Sequence, residues 1–96
     1  MKAVFITYNE AHSDSVLEAL DKCFIRGFTR WEQVEGRGSR SGEPHLGSHA
    51  WPTMNAATIT FVDEDAAARL KKYLKELDEQ KPQLGLRLFT WTIDND

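Results

Sequence analysis

Five side chains able to hold a charged ligand stand close together between residues 37 and 49: Arg37, Arg40, Glu43, His45 and His49. Between them lie Gly38, Gly42, Pro44 and Gly47, with Gly36 before and Pro52 after, so neither a helix nor a strand can run through 36–52. The stretch reads as a long loop, and connections beyond about 12 residues inside compact domains are mostly functional or disordered. Two kinds of chemistry are on offer. Arg37 and Arg40, with the free backbone N–H groups of the glycines, can cradle a phosphate or a carboxylate. His45 and His49 carry imidazoles, whose neutral form suits Zn²⁺, Cu²⁺ or Ni²⁺, but Pro44 and Gly47 keep them off one helix face. In an assembly of several chains, copies of one histidine could still meet, and Glu43 or His12 could join them. Trp51 is costly to leave in water, so it packs beneath the loop or joins a binding surface.

Nothing else in the chain spells out catalysis. No Ser-His-Asp or paired-carboxylate arrangement can be read from spacing, and Glu10, His12, Ser13 and Asp14 sit where a helix begins, where capping accounts for the serine and the aspartate. An enzyme is not expected. The net charge of -3 disfavours nucleic acid as a direct partner, because such binders carry a basic surplus. With 96 residues and 41% hydrophobic content, the chain reads as one domain spanning 1–96. The early apolar run Ala3 to Ile6 is too short for a signal segment or a membrane span, so a cytoplasmic protein is expected. Cys23, the one cysteine, reads as a buried structural thiol.

The elements that must position the loop follow from periodicity. Lys2 to Tyr8 alternates β-branched and aromatic residues and reads as a strand that is apolar on both faces. Ser13 or Asp14 can cap a helix over 14–26 whose stripe is Val16, Leu17, Leu20, Cys23 and Phe24, with Gly27 as its left-handed terminator. Phe28 to Glu35 and Met54 to Val62 read as antiparallel neighbours with the loop at their tip. Asp63 caps a second helix with Ala66, Ala67, Leu70, Tyr73, Leu74 and Leu77 on one side, and Pro82 prevents its extension. Arg69, Lys71, Lys72 and Lys75 form its solvated face. Leu86 to Ile93 is the last strand. The order strand, helix, strand, strand, helix, strand predicts an α+β, ferredoxin-like fold: a four-stranded antiparallel sheet with two helices on one face.

That fold leaves the other sheet face bare, yet strands one, three and four carry large apolar side chains on both alternations. Val4, Ile6, Phe89, Trp91 and Ile93 are set against Phe5, Leu86 and Leu88. Monomers seldom expose more than a few hundred Å² of contiguous apolar surface, so another copy of the chain is expected to cover it.

The run Val-Glu-Gly-Arg-Gly-Ser-Arg-Ser-Gly at Val34 to Gly42, directly after the second strand, resembles the nitrogen regulatory PII signal-transduction proteins. The same strand order, a Met-Lys start and a helix rich in Leu-Glu-Ala-Leu extend the resemblance over most of the chain. It implies a homotrimer whose sheets face inward, adenine nucleotides bound in clefts between subunits, and long loops that contact target proteins. A membrane would be involved only through a transporter partner. On this resemblance Gly36 and Gly38 match the paired glycines, and Arg87 stands where the family places a phosphate-binding lysine.

The sequence also departs from the family pattern. Arg40 replaces the glutamine that helps hold Mg²⁺ and 2-oxoglutarate, and a cation repels rather than ligates another cation. The glycine-rich stretch before the last strand is reduced to Gln83-Leu84-Gly85, the arginine-bearing tail is missing, and His45 or a neighbour occupies the place of the modified tyrosine. Usual oxoglutarate sensing and covalent control are therefore not expected. A small anionic effector bound by Gly36, Arg37, Gly38, Arg40 and Arg87 is the first expectation. The alternative is a divalent-metal-binding trimer similar to the cation tolerance proteins, using His45, His49 and Glu43.

Overall fold

A computed structural model describes residues 1–35 and 54–94. Strand β1 (Lys2–Asn9) leads through a short 3-10 turn, Glu10–His12, into helix α1 (Ser13–Lys22). Then come β2 (Thr29–Val34), β3 (Asn55–Val62), helix α2 (Glu64–Gln80), a second 3-10 turn at Pro82–Leu84, and β4 (Arg87–Thr92). The sheet has the order β2-β3-β1-β4, antiparallel at every pairing, so β1 and β3 are central and β2 and β4 form the edges. This is the expected ferredoxin-like α+β architecture.

Register decides which side of each strand is covered. Ile6 lies opposite Thr58 on one flank and Leu88 on the other, and Tyr8 lies opposite Ala56. These side chains point at the helices. The core beneath α1 and α2 joins Val4, Ile6 and Tyr8 to Val16, Leu20, Leu70, Leu74 and Leu84, each buried to 1% exposure or less. Apolar burial at about 25 cal/mol per Å² is the main term holding the layers together. Two threonines enter this core at little cost because each is bonded: Thr58 Oγ1 lies 2.8 Å from the Tyr8 hydroxyl, and Thr60 donates to the Gly27 carbonyl. Among the described residues no buried side-chain nitrogen or oxygen lacks a partner.

Helix α2 starts as its sequence predicts. The Asp63 carboxylate accepts from the Ala66 N–H at 2.7 Å, and Glu64 and Asp65 sit at the positive end of the dipole. The start of α1 differs from expectation. Its N-cap is His12, which makes no side-chain cap bond. Asn9 instead caps the preceding 3-10 turn by accepting from Ala11, and Ser13 donates its hydroxyl to the Glu10 carbonyl.

The end of α1 departs further. The helix stops at Lys22, before the expected limit of 26, and the left-handed residue is Phe24 (φ 61°), not Gly27. The Ile25 N–H reaches back to the Leu20 carbonyl at 2.9 Å, and the Phe24 N–H to Asp21 at 3.0 Å. This closure swings Ile25 into the core beside Leu20 and throws Phe24 outward to 85% exposure. Phe24 thus leaves the apolar stripe to which its spacing assigned it. Burial of Ile25 outweighs the strain of an aromatic residue in the left-handed region, about 1–2 kcal/mol.

Candidate functional site

The other sheet face is bare, as expected, but its membership is set by register and not by hydropathy. Trp91 lies opposite Ala3, which lies opposite Phe61; in the next open row Phe89, Phe5, Ile59 and Thr29 run across all four strands. Val4 and Ile6 therefore belong with Leu88 under the helices, not with Phe89 and Trp91. Phe61, Phe89, Trp91 and Trp31 are between 46% and 54% exposed.

One row further along, Arg87, Thr7, Ala57 and Trp31 align, and beyond them lie Asn9, Asn55 and Val34. The face thus grades from aromatic at the end carrying Trp91 and Phe61 to polar at the end carrying Asn9 and Asn55. The polar end is where β2 and β3 run out at Val34 and Asn55, on either side of residues 36–53. The backbone of Glu10 donates to the Met54 carbonyl at 2.9 Å, tying the end of β1 to the start of β3.

Arg87 opens β4 on this face, exposed, and no carboxylate among the described residues pairs with it. It is the one predicted ligand-binding residue with a described position. Gly36, Arg37, Gly38 and Arg40 lie outside the described residues, as do Trp51 and the proposed metal ligands Glu43, His45 and His49. Among the described residues no three His, Cys, Asp or Glu side chains cluster as a metal site would require. Thr7, Asn9 and Asn55 were not singled out from the sequence; only the pairing of β1 with β3 and β4 sets Thr7 opposite Arg87 and Asn9 and Asn55 in the row beyond.

The titratable groups elsewhere have structural explanations. Cys23 is buried, and desolvation pushes its thiol up despite the lowering influence of Arg69. Such a thiol is a poor nucleophile. Lys22, an exposed residue, is raised chiefly by its bond to Glu18 at 3.2 Å, with a smaller contribution from Tyr73. Arg69 donates to the Cys23 carbonyl at 3.3 Å and Lys81 to the Ser15 hydroxyl at 3.2 Å, fastening α2 and its C-terminus to α1. A small cleft lined by Tyr73, Glu76, Leu77 and Gln80 lies on α2. None of these groups belongs to the open face. Among the described residues no helix is long and apolar enough to cross a membrane.

No family model matches the sequence, and no curated protein matches it either. Solved structures do match its fold. CPII, a nitrogen regulatory PII-like protein from Thiomonas intermedia K12 solved with ADP, AMP and bicarbonate, superposes with a TM-score of 0.74 at 19% identity, over 94% of this chain and 82% of that one. Its apo form gives 0.70 at 17% identity, over 94% and 85%. A candidate PII-like signalling protein from Thermus thermophilus gives 0.67 at 23% identity, over 94% and 83%. The likeness at these identities is one of fold. The chain has the ferredoxin-like architecture of PII-like proteins, the family that its Val34 to Gly42 run resembles.

Proposed function

We propose that this chain is a PII-like regulatory protein: a trimer that binds a small anionic effector between its subunits and presents residues 36–52 to a target protein. The observation that carries this reading is the open sheet face, where Phe61, Phe89, Trp91 and Trp31 stand half exposed on one side of a sheet whose other side is closed by helices. An aromatic surface of that kind is stable in water once another copy covers it. The fold likeness to CPII, whose structure contains ADP, AMP and bicarbonate, supports the effector class, since all three are small anions. An adenine nucleotide is the leading candidate, with Gly36, Arg37, Gly38 and Arg40 taking phosphate on the loop and Arg87 on the sheet. In this reading the protein signals in nitrogen regulation and is not an enzyme. It works in the cytoplasm and meets a membrane only through a transporter partner.

Light scattering at micromolar concentration, combined with calorimetric titration of ADP, AMP and bicarbonate, tests the proposal. Three chains per particle and saturable heat with at least one of these anions are expected. A monomer mass removes the cleft, and the absence of heat at millimolar ligand removes the effector.

A further inference from the structure

The segment after α1 alternates between core and solvent: Cys23 and Ile25 are buried, while Lys22, Phe24, Arg26 and Phe28 are exposed. The left-handed turn at Phe24 needs a backbone conformation and not a ring, yet it holds a phenyl group 85% in water. The same molecule carries a receptor of matching size. The cleft on α2 has a volume of about 150 Å³ and is lined by Tyr73, Glu76, Leu77 and Gln80. An apolar space on the order of 150 Å³ holds a benzene ring. Here the half-buried Tyr73 and Leu77 supply the apolar part, and the exposed Glu76 supplies a charge at the edge.

The charges agree with this match. Arg26 stands two residues from Phe24, and among the described residues neither it nor Glu76 is in an ion pair. The last turn of α2 carries Asp78 and Glu79 and no basic residue, so the negative end of its dipole meets two like charges. Lys81, just beyond, is bonded to Ser15. A cation brought by another molecule offsets that repulsion. Position agrees as well. Arg69, Tyr73, Glu76 and Gln80 follow one flank of α2 at spacings of four, three and four, and Arg69 donates to the Cys23 carbonyl, so this flank lies beside the end of α1. From Arg69 to Leu77 the helix advances about 12 Å at 1.5 Å per residue, so the ring and the cleft stand apart along one helical layer.

We infer that a second copy of this chain fills the cleft: the Phe24 ring of one molecule seats between Tyr73 and Leu77 of another, where Arg26 meets Glu76. With ring and cleft on the same layer, a twofold pairing seats both rings at once. The contact uses the helices and leaves the open sheet face free. It therefore goes beyond the proposed trimer and joins finished particles to one another. An interface this small is weak and transient on its own, and it gains strength when several copies in one particle engage together.

Sedimentation velocity of the full chain from micromolar to millimolar concentration tests the contact. Wild-type protein shows a further association step above the concentration at which its first assembly is complete. Phe24→Gly, which keeps the turn and removes the ring, raises the dissociation constant of that step by at least about tenfold. Arg26→Glu and Glu76→Lys each weaken it, and the two reversals combined in one chain restore it, which a general loss of fold does not mimic. Phe89→Ala, on the open face, leaves the step in place. Association unchanged in Phe24→Gly overturns the contact, and so does a doubly reversed chain no stronger than either single variant. Wild-type protein without a further step at millimolar concentration overturns it too, and leaves the proposed function standing.

Discussion

The two faces of the sheet are built from the same strands and are both apolar, but they are filled differently. Under the helices sit aliphatic residues, small residues and one bonded tyrosine, interdigitated until almost none of their surface remains exposed. On the open side large aromatics are spaced in rows and left half in water, with Arg87 near the polar end. A core that folds with its own chain can use small residues and tight register, because the covering helices arrive with fixed geometry. A face awaiting a second molecule benefits from broad, rigid surfaces that bury much area at little conformational cost. The comparison separates what holds one chain together from what brings chains together.

The sharpest way to break that comparison is to truncate one large residue on each side. Leu70→Ala, in the covered core, is expected to lower the unfolding free energy by about 2–5 kcal/mol. Phe89→Ala, on the open side, should change the stability of dilute, dissociated protein by less than about 1 kcal/mol while lowering the particle mass seen at micromolar concentration. Denaturant titration and light scattering read the two effects separately. Equal losses of chain stability would mean that the faces do not differ as described.

A smaller effect tests how the covered side tolerates polarity. Thr58→Val leaves the buried Tyr8 hydroxyl without its partner, at about 1–3 kcal/mol. Adding Tyr8→Phe should recover part of that loss, because both ends of the bond are then apolar. A double variant worse than the sum of the singles would rule out the bond as the explanation.

Smaller again, and opposite in sign, Phe24→Gly should raise stability by about 1 kcal/mol, since glycine adopts a φ of 61° without strain. Thermal melts would reveal a destabilised variant if the exposed ring made contacts of its own. The smallest effect concerns alkali. Burial raises the folded Cys23 thiol above its ordinary value of 9.0, so the stability it contributes is fully present below that pH and fades as pH rises through the folded value. Cys23→Ala should flatten this part of the stability curve, as followed by urea unfolding across a pH series that brackets the ordinary thiol value.

Much of the architecture was legible because it rests on local periodicity. Alternation marked all four strands, the stripe through Leu70 and Leu74 marked α2, and Asp63 and Pro82 bounded it by capping and by a missing N–H donor. The first helix was read less well. Gly27 is the residue type that usually ends a helix, but the chain ends α1 earlier, and a phenylalanine takes the left-handed position so that Ile25 can reach the core. Residue type there was a weaker constraint than packing. The candidate site divides in the same way: glycine spacing and charge pointed to Gly36, Arg37, Gly38 and Arg40, whereas Thr7, Asn9 and Asn55 carry no local signal and gain meaning only through register.

By itself the order of residues determined which segments are helix and which are strand, and that strands one, three and four are apolar on both sides, because propensity, capping and side-chain alternation act over a few positions. Only the tertiary structure decided which alternation lies under the helices and which faces outward. Pairing across dozens of residues sets the phase of β4 against β1, and shifting a strand by one residue turns every one of its side chains to the opposite face.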